Sequence, residues 1–309
     1  MLMNTTTLYL STVLIWGSTF FAIKFQLGEV PTEVSVAYRF ALAALILLVW
    51  CRLMNLPMRF SFRQHLWMLV QGLTLFGFNY MVVYWATADL TSGLIAVVFS
   101  TIVLMNIANG ALFFGKRPAI SVLAGALVGL VGICLVFLPE FTNLEIDGSA
   151  LKGMLLSLLG TFIASLGNMT STRNQLAGLP VVQTNAYGMA YGAIALALIA
   201  LAEDAPFTYE LSWAYTGSLI YLALFGSVLA FGGFLTLLGR IGAERAAYAM
   251  VLFPIVALGI STLFENYQWT LEALLGIALV LTGNVLIVMS REQMVRLYQR
   301  FRPASRGVL

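Results

Sequence analysis

The sequence predicts an all-α integral membrane protein with ten transmembrane helices, arranged as two inverted five-helix repeats. Three observations predict it: the composition, a series of ten apolar stretches, and a charge pattern that alternates from one connection to the next. Hydrophobic residues make up 61% of the 309 positions and charged residues 9%, against roughly 25% charged in globular chains. That leaves too little polar surface for a water-soluble enzyme. It also excludes a disordered chain, which needs low hydrophobicity and high charge. A basic nucleic-acid-binding face is excluded too, because the net charge is only +3 and the basic residues are scattered over short loops.

A helix needs about 20 mainly apolar residues to cross the hydrocarbon core. In chain order such stretches are Leu8–Gln26, Val34–Trp50, Leu66–Ala88, Gly93–Phe114 and Ala119–Leu138, then Ala150–Thr172, Val181–Ala202, Trp213–Leu238, Ala246–Phe264 and Leu271–Met289. The first is not a secretion signal. Residues 1–6 carry no side-chain charge, and Phe25-Gln26-Leu27-Gly28-Glu29 is not a small-residue cleavage site, so it reads as a retained span. Seven of the eight prolines sit at span ends, in connections or in the tail. The connections are too short to hold a soluble domain.

Charge justifies each crossing in turn. The connection after the first span carries Glu29 and Glu33, and the next carries Arg52, Arg59 and Arg63. Asp89 follows, then Lys116 and Arg117, then Glu140, Glu145 and Asp147, then Arg173. The second half repeats the alternation with Glu203, Asp204 and Glu210, then Arg240 and Arg245, then Glu265 and Glu272, and last the arginines from Arg291 to Arg306. Altogether 13 of the 16 Lys and Arg residues share a side with the N-terminus, and 11 of the 13 acids lie on the other. One miscounted span would scramble this partition. Lys and Arg mark the cytoplasmic side, so both termini are expected there, in the cell (inner) membrane. Trp50 and Trp67 fall at the basic face and Trp85, Trp213 and Trp269 at the acidic face, as interfacial belts. Trp16 alone sits mid-span. Cys51 and Cys134 fall near opposite faces, too far apart for a disulfide.

The chain around spans four and five resembles that around spans nine and ten. Phe113-Phe114-Gly115-Lys116-Arg117-Pro118 precedes Gly125 and Gly132, and Phe264-Glu265-Asn266-Tyr267-Gln268-Trp269 precedes Gly276 and Gly283. Both glycine pairs are seven apart. A duplication of five spans is odd-numbered, so the second copy enters from the opposite side. Inverted repeats of this kind mark transporters with a midplane site and alternating access. The expected boundaries are 1–143 for the first repeat, 144–290 for the second, and 291–309 for a basic cytoplasmic tail.

Trp16-Gly17-Ser18-Thr19-Phe20 with Lys24, Tyr38-Arg39-Phe40 in span two and the glycine-spaced spans five and ten resemble the drug/metabolite transporter superfamily, in its ten-span EamA-type branch. Within that branch the chain is most similar to YddG-type aromatic amino acid exporters. The resemblance implies a bundle around a central cavity lined mainly by spans one to four and six to nine, with five and ten as supports, and efflux of small organic molecules. One departure stands out: span nine has Pro254, but the repeat-equivalent position in span four is Ile102.

Polar groups inside a bilayer are expensive and therefore informative. Ser157, Thr161, Ser165, Asn168 and Thr172 share one face of span six. They form either a polar cavity wall or helix–helix and back-bonded contacts. Asn79, between Phe78 and Tyr80, suits a ligand with a polar head and an aromatic body. Trp16 is a cavity wall or a core filler, and the family motif favours the wall. Tyr84, Tyr187, Phe231 and Tyr248 complete the expected substrate-binding set. Tyr187 lies with Thr184 and Tyr191 on one face of span seven. Arg39 and Lys24 either contact a substrate carboxylate or snorkel and pair with Glu29 or Glu33. Asn106 and Asn109 read as packing residues, as do the Gly125–Gly129 and Gly188–Gly192 pairs. Pro254 frees a backbone carbonyl and reads as a hinge.

The only histidine, His65, falls in a basic loop and reads as solvated. There is no metal-ligand spacing, no nucleophile motif and no Walker loop, so no catalytic residue, cofactor or metal is expected. The expected partners are the lipid bilayer and a small-molecule substrate, with no nucleic acid and no obligatory protein partner. The leading reading is a secondary transporter exporting aromatic and other neutral amino acids. The alternatives are a broad-specificity drug/metabolite carrier and, from another class, a channel or intramembrane enzyme. Phosphorylated substrates would demand more buried Arg and Lys.

Overall fold

The computed structural model describes residues 5–115, 120–142 and 148–288, without the side chains of 235–251 and of a few positions in the fifth and tenth spans. The basic tail at 291–309 lies outside the described residues. Within them the chain is helical, with no strand. Spans one and two are α1 (Thr5–Lys24) and α2 (Thr32–Leu53). Span three is α3 (Phe62–Gln71), a π-helical segment π1 (Gly72–Phe78) and α4 (Asn79–Asp89). Span four is α5 (Ser92–Phe99) and α6 (Ile102–Phe114), and span five is α7 (Ile120–Thr142). The second half is α8 (Ser149–Leu176), α9 (Val181–Ala202), α10 (Trp213–Tyr221), π2 (Leu222–Leu229), α11 (Ala230–Phe264) and α12 (Leu271–Val288).

Local chemistry sets the helix ends. Ser61 opens α3 with a capping box: its hydroxyl accepts from Gln64 N–H, and its own N–H donates to Gln64 Oε1 at 2.7 Å. Ser212 caps α10 by accepting from Tyr215 N–H at 3.1 Å. Pro31 and Pro180 stand at the same place in the two halves, just before α2 and α9. Gly115 ends α6 at φ 68°, a left-handed conformation that suits glycine. Span four, read in the sequence as one stretch, is interrupted at Ser100 and Thr101. Their hydroxyls donate to Val97 O and Val98 O, each at 2.7 Å, and compete with the backbone ladder.

Seven described stretches are long and apolar enough to cross a membrane. Shorter apolar pieces at Leu127–Val136, Leu252–Phe264 and Leu271–Gly283 complete the series. Spans eight and nine share the unbroken helical run α11, yet this run folds back on itself. A methyl on Gly233 would lie 2.9 Å from Thr12 Oγ1, and one on Gly17 would lie 2.6 Å from Val256 Cβ. Thr12 and Gly17 are ~7.5 Å apart along α1, whereas a straight helix would separate Gly233 from Val256 by ~35 Å. The chain therefore reverses between them, and Pro254 lies on the returning limb.

The helices pair by repeat symmetry. Segment π1 packs on α9, and its counterpart π2 packs on α2. Helix α4 packs on α8, while α10 and π2 pack on α1. Helix α7 pairs with α12 through glycine. A methyl on Gly132 would lie 2.6 Å from Gly276 O, and one on Gly283 2.5 Å from Gly125 O. The Gly188–Gly192 face packs likewise, on Gly72, Phe76 and Gly77. Leu14, Leu45, Leu112, Leu127, Leu198 and Leu263 point outward and are exposed, as a lipid-facing surface requires. Cys51 is buried and Cys134 exposed, and both are free.

Candidate functional site: a chamber between the repeats

The two halves enclose a chamber with about 820 Å³ of empty space, part of it open to solvent. Its wall is aromatic. Trp16 packs edge-on to Phe231 at 5.4 Å and tilted against Phe234 at 5.2 Å. Phe20 lies 5.7 Å from both Phe99 and Phe253. Tyr80 completes the ring lining. Aliphatic surface comes from Ile23, Leu75, Val83, Ile102 and Ala164, and polar groups from Thr19, Asn79, Asn168, Ser171 and Asn185. A second hollow, with about 500 Å³ of empty space, part of it open to solvent, shares Asn185 and Phe231 and reaches Leu47 and Ser227.

Asn79 supplies the open polar group. It begins α4, directly after π1, and is 2% exposed. Its Nδ2 donates to Leu75 O at 3.3 Å, one helical turn back. Its Oδ1 is buried with no partner. A buried amide oxygen left unpaired costs ~1–3 kcal/mol. Asn168 also faces the chamber, with its amide nitrogen donating to Asn106 Oδ1 at 3.3 Å.

Of the expected binding residues, Trp16, Asn79, Asn168 and Phe231 come together here. The rest do not. Thr161 donates to Ser157 O at 2.6 Å, and Ser165 accepts from Asn109 Nδ2 at 2.9 Å. The chamber-facing stripe of α8 is instead Ala164, Asn168 and Ser171. The hydroxyls of Thr161 and Thr172 bond their own helix and that of Ser165 bonds a neighbour, while Ser157 Oγ is buried without a partner. Tyr84 is fully buried behind the wall. Tyr187 lies toward the basic face, donating to Met58 O at 2.9 Å and packing 4.8 Å from His65. His65 is thus not simply solvated, since its Nδ1 also shares a 2.8 Å hydrogen bond with the Tyr191 hydroxyl. Tyr248 falls among the side chains outside the described residues. Lys24 is engaged by Glu265 at 2.6 Å rather than by Glu29 or Glu33, because the ends of α1 and α11 meet. Arg39 is sealed beneath the wall, with Nε donating to Ser227 Oγ at 3.2 Å.

The sequence reading missed Phe20, Phe99, Phe253, Tyr80 and Asn185. Phe20 ends the Trp16 motif and Phe253 precedes Pro254, so proximity to those marks was the available signal. Asn185 lies one residue beyond the Thr184–Tyr187–Tyr191 face. No periodicity favours it.

Both faces of the chamber carry polar clasps. Toward the acidic face, Gln26 Nε2 donates to Tyr215 O at 2.8 Å and to Ser218 Oγ at 2.6 Å, and Tyr215 OH shares a 2.9 Å bond with Ser35 Oγ. Toward the basic face, Gln71 Nε2 donates to Asn185 Oδ1 at 2.9 Å, and Asn174 Nδ2 donates to Gln71 Oε1 at 3.0 Å. Among the described residues, no cluster of His, Cys, Asp and Glu has metal-binding geometry.

This architecture has relatives. The chain is 24% identical to the uncharacterized transporter YoaV of Bacillus subtilis, over 89% of this chain and 93% of the relative. It is 25% identical to a probable amino-acid metabolite efflux pump of Escherichia coli, over 89% and 92%. It is 28% identical to the uncharacterized inner membrane transporter YedA of Escherichia coli, over 81% and 79%. A solved crystal structure superposes with a TM-score of 0.66 at 16% identity, covering 92% of this chain and 96% of its own, which shows a shared fold. The profile of the EamA-like transporter family matches twice, at residues 5–138 and again at 151–289, once for each half of the bundle. The chain therefore belongs to the EamA-like transporter family.

Proposed function

We propose that this membrane transporter exports small amphipathic metabolites, chiefly aromatic and other neutral amino acids, by alternating access, with both termini in the cytoplasm. The observation that carries this reading is the unpartnered Asn79 Oδ1 in an aromatic-walled chamber between the halves. An amide oxygen accepts from an ammonium group, and the rings of Trp16, Phe20, Phe231 and Phe253 suit a flat apolar body. The relatives named as amino-acid metabolite efflux pumps support the substrate class. So does the resemblance to YddG-type exporters. The basic residues on the N-terminal side support the orientation. A broader drug/metabolite range is the second reading, favoured by a lining with no charged side chain among the described residues.

Counterflow in liposomes tests it. Purified protein is expected to exchange labelled phenylalanine or tryptophan saturably. Asn79→Ala should lower the rate about ten-fold while the protein folds normally, the loss of one substrate hydrogen bond to a charged group. Wild-type exchange that ignores every aromatic or neutral amino acid but carries unrelated amphiphiles would overturn the substrate assignment in favour of the broader range.

A further inference from the structure

Arg39 is the largest fully buried side chain among the described residues, at 0% exposure. Its guanidinium carbon lies 4.4 Å from the Tyr80 ring centroid and 5.1 Å from that of Phe40. Nε is bonded to Ser227 Oγ, but Nη1 and Nη2 are buried without partners. The ion pairs among the described residues are Lys24–Glu265 and Lys152–Asp89, and neither reaches it. The hydroxyls of Tyr80 and Tyr84 lie close enough to the guanidinium to interact with it, but they are neutral and bring no negative charge to balance it.

An arginine buried in this way is costly until an anion pairs with it. An apolar side chain of similar length would fill the space without that cost. The missing partner therefore comes from outside the fold. Arg39 lies one side chain away from both hollows, since Tyr80 lines the chamber and Ser227 the second hollow. On the chamber side, Gly226 keeps a gap open. A methyl there would lie 3.3 Å from Arg39 Nη2 and 2.8 Å from Thr19 Cγ2, and Thr19 lines the chamber.

We infer that Arg39 is the carboxylate subsite of the chamber. A substrate carboxylate pairs with Nη1 and Nη2 when the Tyr80 ring moves aside, in the planar two-point geometry a guanidinium favours. This rests on the chamber reading and narrows it from amphipathic solutes to carboxylate-bearing ones. One guanidinium balances one negative charge, so the fit is to a monocarboxylate rather than a phosphate. With Asn79 Oδ1 taking the ammonium, the pair would read the two ends of a zwitterion.

Three matched probes test it on the purified full-length protein: phenylalanine, phenethylamine, which lacks the carboxylate, and 3-phenylpropionate, which lacks the ammonium. Binding is read by thermal stabilisation and flux by counterflow. In the wild type, both carboxylates should bind at least ~10-fold more tightly than phenethylamine, the gain from one charge-assisted pair. Arg39→Met should melt no earlier than the wild type, because it removes an unpaired charge, and should lose the preference. Arg39→Lys should keep part of it. Phenethylamine binding as well as 3-phenylpropionate, or Arg39→Met retaining the carboxylate preference, would overturn the subsite while leaving the chamber reading in place. No binding and no flux for any probe would overturn both. The wild-type ranking decides the matter even if a variant fails to fold.

Discussion

Lys24 Nζ lies 2.6 Å from a carboxylate oxygen of Glu265, joining the acidic-face ends of α1 and α11. The same carboxylate accepts the Ser92 N–H at 3.0 Å and the Ser92 hydroxyl, so spans one, four and nine meet on one group. Burial pushes the Glu265 carboxyl up, but its bonds to Lys24 and Ser92 outweigh this and hold it below its ordinary 4.5. A depressed acid stabilises the folded arrangement above its unfolded value and loses that contribution as pH falls through the lowered one. The lock should therefore hold at neutral pH and release only in acid below 4.5. With a reporter cysteine at the chamber-lining Ile23, labelling from the acidic face should be slow at pH 7. It should quicken several-fold in Glu265→Gln or in strong acid. The thermal penalty of Glu265→Gln should be near ~1 kcal/mol, as for a partly exposed pair. Equal labelling rates in variant and wild type would show that the pair does not guard this mouth.

Trp16 separates wall from core. It faces the chamber and touches Phe231 and Phe234, whereas Phe76 is wholly enclosed. Removing a buried ring costs ~3–5 kcal/mol, and Phe76→Ala should show that loss in thermal unfolding. Trp16→Ala should cost clearly less, since part of its surroundings is already empty. It should nonetheless slow exchange of aromatic substrates about ten-fold, with Trp16→Phe intermediate. Full transport by a stable Trp16→Ala protein would remove Trp16 from the wall.

The α7–α12 pair tests the supporting role of glycine. Gly276→Leu places its side chain against Gly132 O, 2.6 Å from the first added carbon, and backbone cannot yield there. The expected cost is ~1–3 kcal/mol, with a lower melting temperature and little change in substrate preference among surviving protein. Gly129→Ala meets nothing within 4 Å and serves as the control, expected within ~0.5 kcal/mol of wild type.

These contrasts explain which features were legible in the residues alone. The helical bundle was, because ten apolar stretches and alternating charge leave a lipid-spanning chain few other arrangements. Trp16, Asn79, Asn168 and Phe231 were, because a large ring or an amide at mid-depth is hard to place except against a cavity or a partner. Thr161 and Ser165 misled, because a hydroxyl can bond its own helix, as Thr161 does, or an amide on a neighbouring helix, as Ser165 does, so spacing alone cannot tell wall from seam. The π segments left no mark at all. They depend on how π1 settles on α9 and π2 on α2, and Ser227 Oγ reaches Leu222 O, five residues back, only once that register exists. Tyr187 was misplaced for a similar reason, since its partners Met58 and His65 arrive from the connection after α2 and from the first turn of α3.

The two neutral clasps carry the last prediction. On the acidic face Gln26, Ser35 and Tyr215 tie the end of span one to the starts of spans two and eight. On the basic face Asn174, Asn185 and Gln71 tie the end of span six to spans seven and three. The two clasps join corresponding spans of the two repeats, on opposite sides. If the halves rock about the chamber, opening either side must break its own clasp and leave the other intact. Gln26→Ala should favour opening at the acidic face and Asn174→Ala at the basic face. The shift should be ~2–10-fold in population for one or two hydrogen bonds of ~0.5–1.5 kcal/mol each. Reporter cysteines at the chamber-lining Ile23, near the end of α1, and Ser171, near the end of α8, should then change in opposite senses in the two variants. Shifts in the same sense, or in neither, would reduce the clasps to struts. Opposed shifts would identify the duplicated contacts as the two gates.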